Sequence, residues 1–94
     1  MIVARYLEFR TQSGDVKDLT DDVQGALQST PCQAGVVTIF VPGATGAVTT
    51  IEFEDGLVAD LGEALQRLVP LEIDYAHNER WQDGNGHSHI RAAL

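Results

Sequence analysis

The sequence predicts one small domain that contains both strands and helices, and three patterns support this prediction. Residues 35–41 and 47–53 are rich in the β-branched and aromatic residues that favour strands. Residues 57–68 repeat apolar side chains at the spacing of an amphipathic helix. A chain of 94 residues is short enough to form a single domain over residues 1–94.

The N-terminal part is predicted to contain a hairpin followed by a helix. Residues 2–11 alternate loosely and predict a strand, and residues 13–14 predict a turn into a short returning strand at 15–18. Thr20 is a suitable N-cap, and the two aspartates that follow it suit the positive end of a helix dipole. These signals predict a helix at about 21–29.

The middle of the chain is predicted to supply two strands separated by a glycine-rich break. Residues 35–41 show no clear alternation, which is typical of a central strand that is buried on both faces. Residues 47–53 place Glu52 on the same face as Val48 and Thr50. A carboxylate at this position lies either at the solvated rim of the sheet or towards a site.

The C-terminal part is predicted to contain two helices joined by an irregular segment. The helix at 57–68 ends before a proline, and its apolar stripe is predicted to be core. Residues 71–86 have no periodic pattern, and a last helix is expected from Gly86. The apolar pattern still continues at Leu94, so we expect either a fragment of a longer domain or an end that docks on a partner subunit.

Charge and composition argue against several classes of protein. The net charge of −8 argues against binding to nucleic acid or to an anionic membrane surface, because both need a basic patch. No apolar run approaches the length of a membrane span, and the charged N-terminus does not resemble a signal peptide. We therefore expect a cytoplasmic protein. The single cysteine, Cys32, excludes an internal disulfide and is predicted to be dispensable.

Residues 75–91 are the stretch in which a site is most strongly indicated. They contain all three histidines of the chain, His77, His87 and His89. They also contain the run Asp-Gly-Asn-Gly at 83–86, whose residues favour a tight turn. A polar segment of this kind is either a solvated surface loop or a site held on a rigid scaffold.

The three histidines suggest a metal site. Imidazole is a common zinc ligand, and three protein ligands with an open position are typical of catalytic zinc. Residues two apart diverge by roughly 200° on a helix, so joint ligation by His87 and His89 requires a non-helical segment at 83–89. Glu52 and Asp83 are candidates for a ligand, for a general base or for a group that orients an imidazole.

Two alternatives remain open from the residues alone. Gly84, Asn85 and Gly86 could present backbone N–H groups to a phosphate, as glycine-rich turns before helices do. Alternatively, the histidines are structural and the protein is not an enzyme. Metal analysis and an assay of turnover would distinguish a metal site, a phosphate site and structural histidines.

Three segments together resemble the YjbQ-like family, whose members are also described as secondary thiamine-phosphate synthases. Members of this family usually continue beyond the last segment, so the resemblance also implies that the chain is the N-terminal two-thirds of such a domain, truncated at its C-terminal end. The segments are TIFVPGATGAVTTIE at 38–52, YAHN at 75–78 and DGNGHSHIR at 83–91, with a further match of DLTDDV at 18–23.

The resemblance implies an α+β fold with a mixed, mainly antiparallel, barrel-like sheet and two to three helices, assembled as a homotrimer. It implies a transferase that joins a pyrimidine pyrophosphate to a thiazole phosphate, with small phosphorylated substrates. Glu52, His77 and His89 match the family's catalytic positions, and a divalent metal such as zinc or magnesium could be held by His77, His87 and His89. The alternative is a non-catalytic trimer that binds a metal or phosphate. Gly43 departs from the family, in which many members carry a histidine at that position.

Overall fold

A computed structural model describes all 94 residues and contains four α-helices. The chain divides into two compact units, Met1–Thr38 and Ile39–Leu94. The first unit contains one helix and the second contains three. A single domain over residues 1–94 stays a prediction. The helices are α1 at Thr20–Gln28, α2 at Asp55–Leu68, α3 at Ala76–Trp81 and α4 at Gly86–Ala93.

The predicted α+β fold with a mixed, barrel-like sheet is wrong, because no residue lies in a β-strand. Strand propensity reports how well side chains fit a pleated surface, but a strand forms only when neighbouring backbone supplies its hydrogen bonds. No such ladder forms in this chain, and Val36 and Phe40 are 96% and 80% exposed instead of buried. The segments that were predicted as strands and lack regular structure are 2–11, 15–18, 35–41 and 47–53.

The predicted turn at residues 13–14 is confirmed even though its flanking strands are not. The Asp15 N–H donates to the Gln12 carbonyl at 3.0 Å, and the Gln12 N–H donates to the Asp15 carboxylate at 2.7 Å. Gly14 has φ 86°, a left-handed conformation that glycine adopts without a steric penalty. The turn is therefore fixed locally and does not need a sheet.

Helix α1 lies where the sequence predicts it, but its capping group differs. Thr20 is the first helical residue instead of the N-cap. Its hydroxyl and its N–H both donate to the Asp18 carboxylate, at 2.6 Å and 2.9 Å. These hydrogen bonds, the side-chain one foremost, hold the pKa of Asp18 below its usual value because they favour the ionised carboxylate.

Helix α2 begins two residues before the predicted start and ends at the predicted residue. The Glu54 side chain caps it, accepting from the N–H groups of Gly56 at 3.0 Å and Leu57 at 2.7 Å. These bonds satisfy two of the four N–H groups that lack partners at the start of a helix. The helix ends at Leu68 and is followed by Val69, one of the two buried apolar residues of the chain.

Arg91 of α4 joins that helix to the end of α2. Its Nε and Nη2 atoms donate to the Val69 carbonyl at 3.0 Å and 2.8 Å, and Nη2 also donates to Gln66 Oε1 at 3.0 Å. The Val69 carbonyl lies just past the last turn of α2, where carbonyls lack partners within the helix. The guanidinium therefore satisfies a backbone group that the helix itself cannot.

Residues 71–86 were predicted to be irregular, and this prediction is wrong for α3. At 6 residues, α3 is too short to show a helical period in the sequence. It ends at Gln82, which is left-handed with φ 56°, and Gly84 follows with φ 70°. The chain then enters α4 at Gly86, as predicted. None of the four helices is long and apolar enough to span a membrane.

Candidate functional site

Two of the three histidines meet between the short helices α3 and α4. The rings of His77 on α3 and His89 on α4 have centroids 4.5 Å apart and meet edge to face at 64°. Only residues 82–85 join the two helices, so the tight turn predicted there brings the imidazoles together. We call His77 and His89 the imidazole pair.

His77 is held by two side chains of the turn. Its Nε2 donates to Asp83 Oδ2 at 3.1 Å, and because a carboxylate only accepts, Nε2 carries the hydrogen. The Asn85 amide nitrogen faces the same carboxylate, 2.9 Å from Oδ1, and lies 3.0 Å from His77 Nε2. With Nε2 as the donor to Asp83, the lone pair of neutral His77 is on Nδ1, and the Asn85 amide donates to Asp83 alone.

His89 is held by a backbone carbonyl. Its Nδ1 donates to the Ala44 carbonyl at 3.0 Å, so the lone pair of the neutral ring is on Nε2. Ala44 follows Gly43, whose φ of 99° is strained for any residue with a side chain. Each imidazole thus has one nitrogen fixed as a donor by its own partner, which sets the chemistry of the other nitrogen.

The structure does not bring the remaining predicted residues into this pair. Helix α4 begins at Gly86, so the non-helical segment at 83–89 that a triad requires does not exist. His87 and His89 then point roughly 200° apart around the helix axis. Glu52 is exposed, and its carboxylate takes no part in the hydrogen bonds that hold the imidazole pair.

No group of three or more His, Cys, Asp or Glu side chains is arranged to hold a metal ion. The imidazole pair offers two lone pairs, and Asp83 already accepts from His77. Catalytic zinc usually has three protein ligands, so the pair alone falls one short. The metal site of His77, His87 and His89 stays a prediction.

The turn residues 84–86 are predicted to bind phosphate through their backbone N–H groups, but in the structure they make other contacts. The Gly86 N–H, one of the donors proposed for phosphate, donates to Asn78 Oδ1 at 2.8 Å. Asn85 acts through its side chain at Asp83, and Gly84 supplies the positive φ that the turn needs. The sequence gives no signal for a role of Asn78, because the short helix that carries it is too short to show a period.

A separate open groove of about 550 Å³ lies between α2 and α4 in the second unit. Apolar residues of both helices, residues 47–49 and Arg91 line it. None of the predicted site residues lies in this groove. The imidazole pair and this groove are therefore different parts of the unit.

The UPF0047 protein YjbQ-like family model matches residues 5–94. A UPF0047 protein of Methanothermobacter thermautotrophicus is 35% identical over 82% of this chain and 52% of its own length. One from Archaeoglobus fulgidus is 32% identical, covering 85% of this chain and 60% of the relative. One from Mycobacterium bovis is 34% identical, covering 94% of this chain and 66% of the relative.

The chain thus spans between about half and two-thirds of the length of these relatives. No solved structure matches the chain. The family match extends over all the segments that carry the resemblance seen in the sequence. The chain belongs to the UPF0047, YjbQ-like family.

Proposed function

We propose that the chain supplies a phosphate-binding imidazole site to a transferase of the thiamine-phosphate synthase type. The reaction comes from the family resemblance, and the chemistry comes from the imidazole pair. The observation that carries the proposal is the edge-to-face contact of His77 and His89 at 4.5 Å, with Asp83 and Ala44 fixing one nitrogen of each ring.

The proposed reaction expels pyrophosphate. The thiazole ring nitrogen forms a C–N bond to the methylene carbon of the pyrimidine substrate, while the C–O bond to pyrophosphate breaks. The pyrophosphate leaves with the bonding electron pair, so negative charge on its oxygens grows in the transition state. Positioned N–H donors stabilise such charge more in the transition state than in the substrate, which is how they accelerate the step.

The two imidazoles suit this task because of where their protons lie. His77 already carries a hydrogen on Nε2 and His89 on Nδ1. When protonated, they would present a second N–H from His77 Nδ1 and His89 Nε2 to the phosphate oxygens. Asp83 orients the His77 ring and fixes the nitrogen that faces the turn. Glu52 has no assigned step, although it stays a predicted catalytic residue.

The test is an assay with the two thiamine precursors on the purified chain and on His77→Gln and His89→Gln. Each substitution is expected to lower kcat by about 100-fold, the typical contribution of a positioned proton donor. Glu79→Gln is the control, because Glu79 lies on α3, is exposed and belongs to no part of the site. Unchanged turnover in both histidine variants would exclude a catalytic role for the pair.

His87→Gln separates the pair from the predicted triad. Retained activity is expected, because His87 does not share the helical face of His89 on α4. A loss equal to that of the other histidine variants would support the predicted three-histidine metal site.

A second candidate function is non-catalytic binding of a divalent metal or of phosphate. The specific observation is the Nδ1–H···O=C bond of His89 to Ala44, because metal-binding histidines often donate their other nitrogen to a carbonyl. Imidazole favours zinc over magnesium. Zinc that co-purifies with the wild type and is lost in His89→Gln would support this function, whereas phosphate binding through imidazolium would weaken as pH rises.

The proposed assembly is a homotrimer with a small phosphorylated substrate as its ligand. The short chain and the family resemblance motivate it, and exposed apolar side chains such as Val36 and Phe40 are consistent with a covered surface. Light scattering is expected to give three times the chain mass. A stable monomer at micromolar concentration would exclude the trimer for this chain.

A further inference from the structure

We propose that Asn78 and Gly86 are positioning residues that set the distance between His77 and His89. This proposal rests on the proposed function, since it concerns the same site. It assigns a role to two residues that contact each other and that hold α3 against α4.

The first observation is that α4 is capped from α3. The N–H of Gly86, the first residue of α4, donates to Asn78 Oδ1 at 2.8 Å. The preceding residue, Asn85, makes no capping hydrogen bond with its side chain. The first N–H groups of a helix need partners outside the helix, so α4 begins where Asn78 supplies one.

The second observation is the space at Gly86. Gly86 is the only buried residue in the four helices. A Cβ at this position would lie 2.7 Å from Tyr75 Cβ and 2.9 Å from Asn78 Oδ1. Tyr75 Cβ is the root of a buried side chain whose hydroxyl donates to the Pro70 carbonyl, so it cannot rotate away. Only glycine allows the two helices to approach this closely.

The third observation connects this contact to the imidazoles. His77 lies on α3 beside Asn78, and His89 lies three residues after Gly86 on α4, a spacing that shares one helical face. The approach that seats Gly86 against Tyr75 and Asn78 therefore also places His89 against His77. If α4 moved away from α3, the ring contact at 4.5 Å would open.

The test uses NMR of the full chain and measures the nuclear Overhauser cross-peak between the His77 and His89 ring protons. Gly86→Ala and Asn78→Ala are expected to lose the cross-peak while far-UV circular dichroism still reports the helices. Asn78→Asp is expected to keep it, because the carboxylate retains an oxygen acceptor for the Gly86 N–H. Rescue by this variant is an outcome that general destabilisation would not give.

Gly62→Ala is the matched control for the glycine substitution. Gly62 lies on α2, is exposed, and a Cβ there would meet nothing within 4 Å. Alanine is better than glycine inside a helix, so this variant should keep both the cross-peak and the fold. If Gly86→Ala does not fold, the cross-peaks of Asn78→Ala and Asn78→Asp test the proposal.

A cross-peak that persists in both Gly86→Ala and Asn78→Ala would overturn the proposal. The readout needs no substrate, so it is independent of the enzymatic assay. Loss of the cross-peak in a protein without synthase activity would support the positioning role and refute the proposed function. If the protein has synthase activity and the cross-peak is unchanged in these variants, the proposed function is supported and the positioning role is refuted.

Discussion

Replacing Arg91 with methionine removes the guanidinium that joins α4 to the end of α2 but keeps a side chain of similar length. The Val69 carbonyl would lose two donors, now at 3.0 Å and 2.8 Å, and Gln66 would lose one. A hydrogen bond from a charged donor contributes about 1.5–3 kcal/mol, and donors that share one acceptor do not add. We expect the free energy of unfolding to fall by about 2 kcal/mol.

Urea unfolding followed by the fluorescence of Trp81 measures this change, because Trp81 lies in the same unit. With an m-value of about 1–2 kcal/mol/M, the midpoint should fall by about 1–2 M. Arg91→Lys keeps the charge but cannot form the fork, so we expect about half the loss, roughly 1 kcal/mol.

Arg67→Met is the control for this prediction. Arg67 is exposed in the last turn of α2, so its removal costs only the interaction with the helix dipole, about 0.3–1 kcal/mol. Equal losses for Arg67→Met and Arg91→Met would refute the reasoning, since water would then satisfy the Val69 carbonyl as well as the guanidinium does.

Three further predictions concern the helix starts and the cysteine. The lowered pKa of Asp18 means that its contribution to stability is present above the ordinary value of 3.8 and is lost as pH falls through the folded value. Thr20→Ala should return that pKa towards 3.8 in a carboxyl NMR titration, and an unchanged value would contradict the assignment. Glu54→Ala should lower the stability of the second unit by about 1 kcal/mol in urea, more than the exposed control Glu63→Ala. Cys32→Ser should keep the melting temperature and any activity, and a loss of activity alone would reveal a reactive thiol.

The helices that could be predicted from the sequence are those with signals inside one segment. The apolar stripe of 57–68 and the acids after Thr20 fix α2 and α1 without help from distant residues. Helix α3 gives no such signal, because its 6 residues make fewer than two turns and are too few to show a period. Strand predictions failed because pairing is a property of two segments, and the β-branched residues of 35–41 find no ladder in this chain.

The candidate site, like the fold, can be predicted only where the signal lies within one segment. The turn-forming residues at 83–86 indicated that flanking histidines would meet, and His77 and His89 do. The helix start at Gly86 places His87 on a different face from His89, and the metal site of all three histidines stays a prediction. That start depends on a hydrogen bond from another helix, the Gly86 N–H to Asn78, which no single-segment pattern reveals.

The exposure of apolar residues such as Val36 and Phe40 has a consequence for the colloidal behaviour of the chain. At pH 7 the net charge of −8 makes chains repel one another, and this repulsion opposes contact between their exposed apolar side chains. Near the isoelectric point of about 4.5 this repulsion vanishes, and added salt shortens its range to about 10 Å at 0.1 M. Acid and salt should therefore promote open-ended association, whereas a closed trimer keeps one mass across both conditions.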